Sequence, residues 1–276
     1  MTAHALQLHC HGDCLLGVLH APEQAAPRAV LVITGGPQYR VGSHRQFVLL
    51  ARHLAAQGTA TMRFDYRGMG DSAGRPRGFD AVSDDIRAAI DHLFATVPVV
   101  REVVLWGLCD GATAAAFYAA GDQRVAGLVL LNPWVRSDSG WARATLRQHY
   151  VRRLLSPGFW RRLFAGHVSV APALASLGQT LRAARRVGPA HHAGTLPERL
   201  HEALARFRGR TLIILSGADI GAREFQALPA RYPHWRHLLE SQRVTCAHVA
   251  GANHTFACRA WRDQVADLTS DWLQSW

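Results

Sequence analysis

The chain has 276 residues, of which 49% are hydrophobic and 18% charged, and a net charge of +11. That length suits one large α/β domain, or a core domain with an insertion, since single domains of this class reach about 250 residues, and the composition excludes a disordered chain or a coiled coil. No apolar run approaches the roughly 20 residues needed to cross a bilayer, and Met1-Thr2-Ala3-His4-Ala5 lacks the basic-then-apolar pattern of a signal peptide, so a soluble cytoplasmic protein is expected.

In chain order, Ala5 to Cys10 and Cys14 to Leu19 read as an antiparallel hairpin at a sheet edge, turning at His11-Gly12-Asp13. Cys10 and Cys14 flank that turn. With Cys109, Cys246 and Cys258 they form an odd set of five without the paired spacing of a zinc site, which predicts free thiols and no metal. Short apolar runs then alternate with helical patterns, the signature of a parallel sheet with crossover helices. The predicted strands are Ala29 to Thr34, Ala60 to Phe64, Glu102 to Trp106, Val125 to Leu131, Thr211 to Ser216 and Arg243 to Val249. Ser43 is the expected N-cap of a helix over Gln46 to Ala56, and Phe79 to Ala95 is amphipathic. Further helices are expected after Asp110, after Ala222 and from Phe256 to Leu273.

The alternation breaks once, between Pro133 and Gly209. Basic helical sequence punctuated by Ser156-Pro157-Gly158 and Gly188-Pro189 fills that stretch, which is too long for a simple connection. The prediction is a helical cap over 135–209, inserted into a core of 1–134 and 210–276. Between Arg136 and Arg210 there are fourteen arginines against the acids Asp138, Glu198 and Glu202. A segment of that density is either a solvated helical face or a surface for an anionic lipid or glycan. All 31 basic residues of the chain are arginine. Genome base composition explains that usage as readily as chemistry does, so no nucleic-acid partner is inferred from it.

The chemistry is signalled at Gly107-Leu108-Cys109-Asp110-Gly111, between the apolar run Val103 to Trp106 and the Ala-rich stretch Ala112 to Ala120. Strand, sharp turn and helix make a nucleophile elbow, with cysteine where serine is usual. Small residues two before and two after the nucleophile allow the tight turn, and Gly107 and Gly111 supply both. Asp110 as a carboxylate nucleophile would place Leu108 at a small position, where leucine does not fit. The competing reading of Cys109 is a buried thiol in an ordinary strand-to-helix turn.

A cysteine nucleophile needs a base and a group that orients the base, in the order nucleophile, acid, histidine. Asp219, just past the strand Thr211 to Ser216, supplies the acid, with a helix N-cap as its alternative role. His254 lies in the loop before the last helix and supplies the base, whereas His248 falls inside the preceding strand. The N–H of Asp110 is one expected oxyanion donor. The other should come from Thr34-Gly35-Gly36-Pro37-Gln38, where Gly36 is favoured because proline cannot donate. Gln38 and Tyr39 are candidate substrate contacts. Ser72 reads as structural, and the glycines at 68, 70 and 74 form no phosphate-cradle motif, so no nucleotide cofactor is expected.

Phe64-Asp65-Tyr66-Arg67-Gly68-Met69-Gly70-Asp71-Ser72-Ala73-Gly74 resembles the Asp-x-Arg-Gly-x-Gly-x-Ser-x-Gly segment of α/β-hydrolases. The resemblance implies an α/β-hydrolase fold: a mostly parallel eight-stranded sheet flanked by helices, with the inserted cap. More narrowly, Thr34 to Phe47 and Gly107 to Ala112 resemble the hydrolase 1 family associated with the bacterial exosortase A system, which implies an exopolysaccharide setting rather than a substrate. Dienelactone hydrolases share a cysteine elbow, so sulfur is compatible with hydrolysis. The expected function is hydrolysis of a small-molecule acyl ester or thioester through an acyl-thioenzyme. The alternatives are acyl transfer to a glycan or protein, and a non-catalytic binding protein of this fold.

Overall fold

A computed structural model describes residues 1–36, 38–136 and 194–276. Eight strands form one sheet: β1 Thr2–Cys10, β2 Asp13–Ala21, β3 Arg28–Ile33, β4 Thr61–Phe64, β5 Glu102–Leu108, β6 Val125–Leu131, β7 Arg210–Ser216 and β8 Val244–Val249. Their spatial order is β1-β2-β4-β3-β5-β6-β7-β8. The hairpin β1–β2 is antiparallel, and so is the β2–β4 pair; every later pair is parallel. This is the α/β-hydrolase fold that the sequence predicts.

The central strands are continuous apolar runs because helices cover both of their faces. Successive side chains point to opposite sides. Leu31 and Ile33 of β3 therefore join Val103 and Leu105 of β5 and Leu128 and Leu130 of β6 on one face, while Val30, Val32, Val104, Trp106, Val129 and Leu131 fill the other. The first face is covered by α2 (Ser83–Thr96) and α3 (Asp110–Ala119), through Ile86, Ala89, Ile90, Leu93, Ala112, Ala115 and Ala116. Alanines on α3 let that helix lie close against the sheet. The second face is covered by α1 (Gln46–Ala56) and the C-terminal helix Arg259–Gln274, through Phe47, Leu50, Leu54, Trp272 and Leu273. Phe47 meets Trp106 edge to face at 5.6 Å, and the Trp106 indole N–H donates to Thr269 Oγ1 at 3.3 Å.

Two helix starts differ from the prediction. Ser43 does not cap α1: its hydroxyl accepts from Gln38 Nε2 at 3.3 Å. His44 and Arg45 take left-handed backbone angles that separate a short 3-10 turn from the helix proper, and Arg45 stands at the N-cap without a side-chain bond. The amphipathic segment from Phe79 divides likewise, into a 3-10 turn over Phe79–Ala81 and α2 from Ser83.

The residues fall into two compact units, Met1–Val135 with Pro197–Trp276, and Arg136–Leu196. Of the helical cap expected over 135–209, residues 137–193 lie outside the described residues. The helix α4, Leu196–Arg206, follows them and contributes Leu200 and Leu204 to the core. Among the described residues no helix is long and apolar enough to cross a membrane.

Candidate active site

Cys109 is the hinge between β5 and α3, with φ 60° and ψ −124°. A non-glycine residue is rarely held in that region, and such strain persists only where the surroundings enforce it. The flanking glycines show how they do so. A Cβ on Gly107 would lie 2.5 Å from Gly111 O, and one on Gly111 would lie 2.6 Å from Ile33 O. Cys109 N–H donates to Leu131 O at 2.9 Å, and Cys109 O accepts from the N–H groups of Ala112 and Trp134 at 3.1 and 3.3 Å. The thiol is free and half-buried.

After β7 comes α5, Ile220–Gln226, with Asp219 at its N-cap. Asp219 Oδ2 accepts from Ala222 N–H at 2.9 Å and lies 3.1 Å from His254 Nδ1. The two readings of Asp219 therefore coincide: one oxygen caps a helix and faces the imidazole. Burial opposes ionisation of Asp219, but the hydrogen bond and charge of His254, with the N–H groups of Ala222 and Ile220, together outweigh it and hold the carboxyl below its usual range. His254 lies in the loop between β8 and the C-terminal helix. Burial pulls its pKa down, yet hydrogen bonds to Asp219 and to the Cys109 side chain raise it to about 10. Cys109, His254 and Asp219 are thus linked in a row. His248 sits in β8 with its side chain exposed.

The loop after β3 approaches the elbow differently from what its glycines suggest. Gly36 N–H donates to Asp110 Oδ2 at 2.8 Å, and Gly111 N–H to Asp110 Oδ1 at 3.1 Å. The Asp110 carboxyl is pushed up by burial, and hydrogen bonds from the N–H groups of Gly36, Asp110 itself and Gly111 oppose that shift. Both N–H groups expected to face a substrate oxyanion, those of Gly36 and Asp110, therefore face the Asp110 carboxylate. The sequence signal for this was an acid directly after the nucleophile, opposite a Gly-Gly loop. Gln38 N–H is taken by Gly35 O at 3.2 Å, and Tyr39 is 42% exposed. Pro37 lies outside the described residues.

The Gly-rich loop after β4 is scaffolding. Ser72 Oγ donates to Asp65 O at 2.6 Å and accepts from Leu16 N–H at 2.9 Å. Arg67 meets Asp85 through two 2.9 Å bonds, both side chains being buried. Among the described residues no group of three His, Cys, Asp or Glu is placed to hold a metal ion.

A family model described as serine aminopeptidase, S33, a hydrolase family, matches residues 25–220. The chain belongs to this family. The serine aminopeptidase S33 match runs from before β3 through Asp219, and in this chain the elbow carries cysteine. The chain is 29% identical over 134 residues to a polyketide transferase, grgF, of a Penicillium species; the match takes in 46% of this chain and only 43% of that relative. Among solved structures it resembles the Pyrococcus furiosus esterase Pf2001, with a TM-score of 0.70, 14% identity and coverage of 100% of this chain and 91% of that one. It also resembles a dienelactone hydrolase from Anabaena variabilis, with a TM-score of 0.63, 17% identity and coverage of 100% and 98%. Likenesses at that identity speak for the fold.

Proposed function

We propose that this chain is an acyl hydrolase acting on a small-molecule ester or thioester, with Cys109 as nucleophile, His254 as general base and acid, and Asp219 as the group that orients His254. The observation that carries this reading is the unbroken contact from Asp219 Oδ2 through His254 to the Cys109 side chain, at a residue held in a strained turn. In the first half-reaction His254 holds the thiol proton while sulfur attacks the carbonyl carbon. The tetrahedral intermediate collapses, and the departing alcohol or thiol takes that proton from His254. Water then gives a proton to His254 and its oxygen attacks the acyl-thioenzyme, releasing acid and restoring the thiol. The N–H groups of Asp110 and Gly36 are the oxyanion donors in this scheme. They serve once the Asp110 side chain yields them to substrate.

Two finer readings stay within the proposal. Acyl transfer to a glycan or protein acceptor is the alternative outcome at the same acyl-thioenzyme, and the curated relative named as a polyketide transferase favours it. The resemblance of residues 34–47 and 107–112 to the exosortase A-associated family supports a cytoplasmic role in exopolysaccharide production, with the arginine-rich segment 136–210 as the surface for an anionic glycan or membrane. A scaffold that binds without turnover is the reading to be eliminated.

The test is labelling with ester and thioester activity-based probes, with mass spectrometry to locate the adduct. The adduct is expected on Cys109, and Cys109→Ala should abolish both labelling and turnover of p-nitrophenyl acetate. Full turnover by that variant would remove Cys109 from the mechanism. Products formed with and without an added glycan acceptor separate transfer from hydrolysis.

A further inference from the structure

One buried amide touches the supports of all three residues in that row. Asn132 is the first residue beyond β6 and is 1% exposed. Its φ of 43° lies in the left-handed region, which asparagine enters more readily than other side-chain-bearing residues. That backbone turn aims the side chain across the carboxyl ends of the strands. Asn132 Nδ2 donates to the carbonyl oxygen of His254 at 3.2 Å, Oδ1 accepts from Ser216 N–H at 2.9 Å, and the Asn132 N–H donates to Ile214 O at 3.1 Å. Ser216 ends β7, three residues before Asp219. The preceding residue, Leu131, accepts the Cys109 N–H. The strand end Leu131-Asn132 is therefore hydrogen-bonded to the nucleophile's backbone, to the base's backbone and to the strand that delivers the acid.

We propose that Asn132 is a positioning residue for the reaction: its side-chain amide sets the His254 loop against the end of β7, and so fixes the reach of the imidazole between Asp219 and Cys109. The proposal rests on the Cys109–His254–Asp219 reading above. Other bonds also join the two loops, from Gly217 N–H to Val249 O at 3.0 Å and from Ala218 N–H to Ala252 O at 2.9 Å. Those bonds hold the loop near its start. Asn132 holds the histidine's own peptide, where a displacement moves the ring directly.

Two variants separate positioning from folding. Asn132→Asp keeps the shape and the acceptor for Ser216 N–H, but presents a carboxylate oxygen to His254 O in place of a donor. Asn132→Gly tolerates the left-handed backbone and removes both side-chain bonds. Each should fold, and each should lower kcat for p-nitrophenyl acetate by roughly 10- to 100-fold, the scale on which small misplacements of a catalytic group act. KM should stay within about twofold of wild type, since no substrate contact is removed. Alkylation of Cys109 by iodoacetamide should slow in both variants, and its pH profile should move away from the wild-type profile.

Wild-type kcat and alkylation in a folded Asn132→Asp variant would overturn the proposal. So would a loss that appears wholly as a lower melting temperature, with full activity per folded molecule, or a failure of both variants to fold, since Asn132 would then serve the fold alone. Turnover retained by Cys109→Ala would instead bring down the underlying reading, a result that the Asn132 variants cannot mimic.

Discussion

Two Gly-rich turns at the ends of the strands that flank β3, the loop 65–74 after β4 and the elbow 107–111 after β5, both hold charged or nucleophilic side chains, yet only one is built to react. In the first, the polar groups are closed on protein partners: Asp65 receives Arg40 and the Asp71 N–H, Arg67 is spent on Asp85, and the Ser72 hydroxyl both donates and accepts. Asp65 and Asp85 are fully buried. In the second, Cys109 is half-buried and backbone-strained, and its sulfur is hydrogen-bonded to a histidine that is 36% exposed. A serine in a Gly-rich loop is thus scaffold and a cysteine on the far side of β3 is the candidate nucleophile. What separates them is a completed set of partners in one case, and strain with partial exposure in the other.

If that contrast is right, damage at the elbow should cost rate and damage at the loop should cost stability. Asp219→Asn gives the largest separation. Asparagine still caps α5, because its carbonyl accepts the Ala222 N–H as the carboxylate does, so melting should fall by no more than the few degrees that the bonded imidazolium supplies. The same carbonyl oxygen then faces His254 Nδ1 without the charge that stabilises an imidazolium, and replacing an acid of this kind costs up to roughly 10⁴-fold in kcat. Steady-state kinetics beside thermal melting reads both effects. A variant with intact rate would sever Asp219 from the mechanism and leave it as a cap.

Arg67→Ala tests the opposite corner. Asp85 is fully buried and loses its bidentate partner, leaving an uncompensated charge whose cost is about 3–5 kcal/mol of folding stability. Urea unfolding should show that loss, while kcat per folded molecule stays near wild type. A collapse of kcat without a loss of stability would make the loop part of the reacting site and erase the contrast.

The legible part of the fold was the part governed by repeating pattern. Apolar runs alternating with helical periods placed β3 to β8 within a residue or two; for β3 to β7 this is because strands covered on both faces leave a dense apolar signal, while the edge strand β8 is largely exposed and was read from its place in the alternation. Helix starts were harder to read: Ser43 has the right chemistry for a cap, but the left-handed residues His44 and Arg45 that displace the helix leave no mark in composition. At the site, Cys109, Asp219 and His254 could be proposed from their places relative to strands, and the structure brings them into one row. The side chain of Asp110, whose N–H alone was given a role, and Asn132 could not be assigned in this way. The role of Asp110 depends on the rotation of one side chain toward Gly36, and that of Asn132 on a positive φ that turns an ordinary strand-end asparagine toward two loops distant in sequence.

The smallest expected effect sharpens the comparison through pH. His254 has an ordinary value of 6.5 and is raised to about 10 in the fold, so between those values the folded protein holds a proton there that the unfolded chain releases. The stabilisation from the bonded imidazolium is therefore fully present below about pH 6.5 and is lost as pH rises through about 10. Nothing equivalent arises at Arg67 in this window, because its hydrogen bonds to Asp85 hold the guanidinium above its already high ordinary value. Melting curves from pH 6 to pH 10 should thus show wild type losing a few degrees, the scale of a modest free-energy change in a chain of this size, while His254→Gln loses less. Identical slopes for the two proteins would mean that His254 is not held protonated by Asp219 and Cys109.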